Sequence, residues 1–191
     1  MMLSRSSGHL VCLLTFCVAV PGATGAPGPL ARPADTRTTE TLSRSGEASV
    51  SEAAPWLSGW TTKEQVWSLK RALADSMTTR VALVFFATWC PPCREGIARL
   101  TAHASELRAA GVGVVLVDFK EDARKVQRFV GASPAFPVVL DRFGMTEKTY
   151  LRIGDGPVRL PRTVVIGRDG AVRAIFGSEG KDYVDRILAA R

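Results

Sequence analysis

Apolar and polar positions change rhythm several times along this chain, and each change predicts an element. Residues 81–87, Val-Ala-Leu-Val-Phe-Phe-Ala, are apolar without interruption, as in a strand buried on both faces. Residues 94–110 carry Ile97, Leu100, Ala104 and Leu107 on one helical face, and Gly111 ends that helix. A second buried strand follows at 112–117. Residues 121–130 are helical, with Ala123, Val126 and Val130 in phase and Gly131 behind them. A short strand is predicted at 136–140, a turn at 141–144 and a short helix over 145–151. Strands at 163–166 and 171–176 are joined through Arg168-Asp169-Gly170 as a tight antiparallel hairpin. A closing helix over 181–190 turns Tyr183, Val184, Ile187 and Leu188 inward. Upstream, Thr62-Lys63-Glu64-Gln65 fits a capping box. With Val66, Leu69, Leu73 and Met77 at helical spacing, it predicts a first helix over 63–77. Alternating strands and helices predict an α/β fold, a mixed sheet with helices on both faces and an antiparallel edge at its end.

The first 54 residues do not follow these rhythms. Arg5 precedes an apolar stretch from Leu10 to Val20, and small residues follow at 21–26. That order is the signal-peptide pattern, and the stretch is well short of the roughly 20 apolar residues that span a bilayer. Residues 1–25 are expected to be a signal peptide, or a membrane anchor if uncleaved. Residues 26–54 are rich in Pro, Gly, Ala, Ser, Thr and Arg and are expected to be a flexible leader. The domain proper is placed at 55–191.

Export changes the meaning of the cysteines. The chain has four; Cys12 and Cys17 leave with the signal, so the mature protein keeps Cys90 and Cys93. No other partners remain for a structural bridge, and exported proteins live where disulfides form. Trp89-Cys90-Pro91-Pro92-Cys93 lies between the strand at 81–87 and the helix behind it. A sulfur at a helix N-terminus meets unpaired backbone N–H groups and the positive end of the helix dipole, which favour the thiolate. The thiolate is the form that attacks disulfides. Zinc would need four ligands, and only His103 remains to add to the pair, so no metal site is expected. The net charge is +7, but Lys and Arg are dispersed, without the dense basic run that nucleic-acid binding suggests.

Three segments together resemble the thioredoxin superfamily, and its exported TlpA/ResA/CcmG-like branch above all. They are Phe85 through Glu95, Phe136-Pro137-Val138-Val139-Leu140-Asp141, and Leu160 through Gly170. The resemblance spans about 55–191, and 121–159 looks like the extra helix and strand of that branch. It implies a thioredoxin-like fold and a dithiol mechanism in which Cys90 attacks a partner disulfide and Cys93 resolves the mixed disulfide. Pro91 and Pro92 shape the turn and tune it. Trp89 flanks the sulfur. The Leu160–Pro161 bond is implied to be cis, with Thr163 in the strand behind it. No cofactor beyond the redox-active Cys90–Cys93 pair is implied.

The chain departs from the family at three positions. Val84 stands where thioredoxins bury an acid. Gly96 stands where ResA-like members place a glutamate, leaving Glu95 as the candidate acid/base group one position earlier. Ala98 replaces a helix-kinking proline, which predicts a straighter helix. His103 and the charges at 120–122 are read as surface groups.

The expected function is an exported, periplasmic thiol–disulfide oxidoreductase. It is expected to be a monomer that reduces disulfides of partner proteins, of the cytochrome c maturation or copper-site assembly type, and to draw electrons from a membrane thiol transporter. The alternatives are a disulfide-forming oxidase and, from another class, a copper metallochaperone using the same two sulfurs.

Overall fold

A computed structural model describes residues 48–177 and 180–191. The expected signal peptide, and the leader as far as residue 47, lie outside the described residues. Seven strands form one sheet in the order β2-β1-β5-β4-β3-β6-β7. The central strand β3 (Arg80–Phe86) is buried at every position, as its apolar run requires. It runs parallel to β4 (Val112–Phe119) and antiparallel to β6 (Arg162–Gly167). Strand β5 (Val138–Asp141) extends the parallel set on β4, and β7 (Val172–Phe176) closes the other edge against β6. Gly170, at φ +83°, makes the β6–β7 turn where the sequence placed it.

Alternation of side chains along the central strands sorts the core into two layers. Ala82, Val84 and Phe86 of β3 and Val112, Val114 and Leu116 of β4 face one layer. It is covered by α2 (Pro91–Ala102), α3 (Ala104–Ala109), α4 (Ala123–Val130) and α5 (Tyr183–Ala189). Val81, Leu83, Phe85, Val115 and Val117 face the other layer. There they meet α1 (Leu69–Leu73) and a π-helical turn (Glu147–Leu151) that buries Tyr150 and Leu151. Helices on both faces of a mixed sheet are as expected.

Four expectations are corrected. The helix over 63–77 is a hairpin followed by one short helix. β1 (Ser58–Thr61) pairs antiparallel with β2 (Val66–Ser68) and with β5, and only Leu69–Leu73 is helical. The Thr62 capping box does not form. The Thr61 hydroxyl accepts from Lys63 N and Gln65 N, and Glu64 adopts φ +56° to close the hairpin. Ser68 caps the helix instead, and Met77, assigned to its inner face, is exposed.

The helix over 94–110 is not straight through. It breaks at His103 (φ −107°, ψ 18°) into α2 and α3, although no proline is present. The leader does not stay clear of the fold as far as residue 54. Ser51 N donates to Val172 O, Ala54 N donates to Gly170 O, and Ala48 and Ala54 are buried. Finally, the charges at 120–122 are not simply a solvated helix start, because Glu121 is buried.

Candidate active site

The strand-to-helix junction after β3 sets the site. Leaving β3, the chain turns through Ala87-Thr88-Trp89, and Cys90 N donates to Ala87 O at 3.1 Å. Pro91 and Pro92 open α2, where missing N–H groups have no helical acceptor to disappoint. Cys90 is the N-cap, and its Sγ accepts from Cys93 N at 3.3 Å. Cys90 and Cys93 are joined in a disulfide with Cα atoms 5.3 Å apart. Cys90 is 4% exposed and Cys93 0%, so Cys90 is the less buried residue of the pair. Trp89, beside it in the chain, is 61% exposed.

The second segment arrives from β6. The Leu160–Pro161 peptide is cis, as the resemblance implied. Leu160 packs on the core layer that contains both cysteines. Thr163 lies across from Val84 in the β3–β6 ladder, and its hydroxyl pairs with Tyr183 OH of α5 at 2.6 Å. Thr163 therefore ties β6 to α5.

Two carboxylates absent from the sequence-based site lie at the ends of these elements. Glu121 reaches across to Thr88, two residues before Cys90. Its Oε2 accepts from Thr88 N at 2.5 Å, its Oε1 accepts from Thr88 Oγ1 at 2.7 Å, and Lys125 Nζ lies 2.5 Å from Oε1. Burial pushes this carboxyl up, but Lys125 and the two Thr88 donors outweigh it and hold it below the usual range. Glu121 thus fixes the turn that presents Cys90. Replacing it with glutamine keeps an acceptor for Thr88 but removes the charge that pairs with Lys125. Glu121→Gln is expected to lose about 1–3 kcal/mol in a urea titration, and Lys125→Met on its own should lose part of the same amount.

Asp118 continues the β4 positions 112, 114 and 116 that face the dithiol's layer. It is fully buried, and its Oδ2 accepts from Glu121 N at 3.2 Å, while Oδ1 has no partner. Burial, and then the nearby carboxylates of Glu121 and Asp141, raise it to about 7 against the opposing pull of the Glu121 N–H and Lys125. Asp118 thus supplies the dithiol's side of the sheet with a titratable group that Val84 cannot. The sequence offers one signal for it, an acid ending a buried apolar strand; its place opposite Phe86, just before the motif, comes from the β3–β4 pairing.

Glu95 is not in this group. Its side chain is 70% exposed and lies 3.8 Å from Arg99, one helical turn along α2. It faces solvent, about 100° around the helix from the neighbouring buried Gly96. His103 is on the surface, with Nδ1 2.9 Å from Glu106. Among the described residues no three His, Cys, Asp or Glu side chains converge to hold a metal.

The family profile described as Redoxin matches residues 60–187. Thiol-disulfide oxidoreductase ResA of Bacillus thuringiensis subsp. konkukian (strain 97-27) is 31% identical over 121 residues, 62% of this chain and 67% of that protein. Two solved structures share the fold. A thioredoxin-family thiol:disulfide interchange protein from Chlorobium tepidum TLS superposes with a TM-score of 0.57 at 25% identity, covering 75% of this chain and 97% of that one. A secreted Mycobacterium tuberculosis disulfide oxidoreductase, homologous to E. coli DsbE, gives 0.55 at 19% identity, covering 71% and 96%. The match takes in the junction after β3, the cis-proline strand and α5 together, and the chain belongs to the Redoxin family, within which it is a thiol–disulfide oxidoreductase of the ResA type.

Proposed function

We propose that this protein is an extracytoplasmic reductase of partner-protein disulfides, of the cytochrome c maturation or copper-site assembly type, reset by a membrane thiol transporter. The observation that carries the reading is the position of Cys90: the less buried residue of the pair, at the head of α2, with its Sγ accepting the Cys93 N–H. In the reduced state that place favours the Cys90 thiolate. The thiolate attacks one sulfur of a partner disulfide, a Cys90–partner bond forms, and the partner's other sulfur leaves as a thiolate. The Cys93 thiol then gives up its proton and attacks Cys90 Sγ. This releases the partner's second sulfur, two electrons have passed to the partner, and the chain is left with the Cys90–Cys93 disulfide. Asp118, buried on the same face of the sheet, is the group suited to receive the Cys93 proton near neutral pH. A thiol donor must return two electrons to close the cycle.

Supporting the extracytoplasmic part are the signal-like N-terminal residues and the secreted M. tuberculosis homologue of the fold. Among the described residues no helix is long and apolar enough to cross a membrane. The reduction potential tests direction. A value of about −250 mV or lower fits a reductase, and one near about −120 mV would instead make the protein an oxidant. Partner identity is tested by expressing Cys93→Ser with its N-terminal segment intact in the native host. Mixed disulfides through Cys90 should accumulate on a small set of cysteine-bearing exported proteins.

A further inference from the structure

A second site lies at the other end of the sheet. Arg80 begins β3 and the dithiol turn follows its last residue, so the two are separated by the length of a seven-residue strand, about 20 Å. At the Arg80 end is an open cavity of about 830 Å³. Four arginines line it, Arg80, Arg168, Arg173 and Arg191, with Leu188 and Ala190 as apolar floor. Asp169 is the one side-chain carboxylate among the described residues of its lining, and it is already paired with Arg173 at 2.6 Å. Arg168 is fixed by the backbone carbonyls of Asp75, Ser76 and Thr78, which hold it in place and leave its charge unbalanced.

Arg80 is the telling member. It is 9% exposed, its Nη2 donates to Leu188 O at 2.9 Å, and its Nε has no partner. Burial and then the like charge of Arg191 both work against its protonated form. Buried cations are ordinarily paired. Here Arg80 and Arg191 line the same cavity, and no described carboxylate forms an ion pair with either. An arginine used only as a prop between β3 and α5 would need neither Arg191 beside it nor an open cavity over it.

We propose that this cavity is a binding site for a small phosphate ester. Its dianionic head lies over Arg80 and Arg191, and its organic body rests on Leu188 and Ala190. Guanidinium forks match phosphate oxygens in geometry and charge. The surplus of positive charge suits a dianion, and the volume and apolar floor call for more than a bare ion. The site is independent of the dithiol chemistry.

The test is calorimetric titration of the full chain with phenyl phosphate, at ionic strength held constant with sodium chloride. Saturable one-to-one binding is expected, tighter than for inorganic phosphate and unchanged by Cys90→Ser. Arg191→Gln and Arg80→Gln should each weaken it tenfold or more. Arg191 has no assigned role in the fold, so its substitution keeps the test valid if Arg80→Gln does not fold. Insulin reduction by Arg191→Gln should equal that of the parent. Absence of saturable binding, or equal binding by Arg191→Gln, would overturn the proposal. So would attachment only to phosphatidylglycerol vesicles with none to phenyl phosphate, since that is the behaviour of a basic surface.

Discussion

Cys90→Ser is expected to reduce insulin disulfides no faster than dithiothreitol alone, while Cys93→Ser still attacks but does not turn over. Cys90 is the less buried residue of the pair and the N-cap of α2; Cys93 is completely buried one turn inside. A serine hydroxyl at position 90 has no accessible anionic form at neutral pH, so the first bond never forms. With serine at position 93 the first bond forms normally and stays, because nothing attacks Cys90 Sγ from within. The two variants therefore separate in a gel without reductant: a stable adduct with a model disulfide for Cys93→Ser and none for Cys90→Ser. Adducts through Cys93 in the Cys90→Ser protein would reverse the order of attack. Both serine variants lose the short disulfide, and equal stability of the two would show that the difference lies in chemistry and not in folding.

The second large effect concerns pH. Asp118 is raised from 3.8 to about 7 chiefly by burial. A carboxyl whose native pKa exceeds its unfolded value is favoured in its protonated form. Between about 4 and 7 the native state holds a proton that the unfolded chain has released, so stability falls as pH rises through that window. Above 7 the whole destabilisation is present, on the order of 4 kcal/mol. Asp118→Asn removes the titration and keeps an acceptor for Glu121 N. Its stability relative to the parent should therefore improve by that order of magnitude between pH 4 and pH 8. In melting temperature this is a relative gain of about 10 °C for a chain of this size. A difference independent of pH would mean that the Asp118 carboxyl titrates in the native state as it does in the unfolded chain. The same variant should slow release of a trapped partner at pH 7, where Asp118 is suited to take the Cys93 proton.

Much of this was legible in the sequence for local reasons. Residues 81–87 read as a buried strand because no polar residue interrupts them, and β3 is buried throughout. The β6–β7 hairpin announced itself through Asp169-Gly170, because the turn requires the left-handed backbone that Gly170 adopts. The dithiol stood out because a helix start and two cysteines coincide within five residues. The misreadings have the opposite character. Val66, Leu69, Leu73 and Met77 have helical spacing, yet Val66 and Met77 are exposed and β2 is held by its partner β1. Helical spacing is evidence of a helix only when the spaced residues share a buried face, and the β1–β2 hairpin is anchored through β1 to β5, a long-range contact that no local window contains. Glu95 looked like the acid/base candidate because it is near Cys93 in the chain, but position on a helix, not sequence distance, sets what a side chain faces.

By itself the sequence determined the Cys90–Cys93 pair at a helix start, the order of most central elements and the apolar layers between them, because these depend on residue type and period over a few residues. Tertiary structure alone decided which acids lie beside the end of β3 that carries the dithiol. Asp118 lies near the end of β4 and Glu121 just beyond it, and Glu121 meets Thr88 only because β4 pairs in parallel with β3, which brings Asp118 opposite Phe86. Their protonation was equally invisible beforehand. Burial raises one, and Lys125 with Thr88 lowers the other, so two carboxyls three residues apart are driven in opposite directions by surroundings that exist only once the sheet has closed.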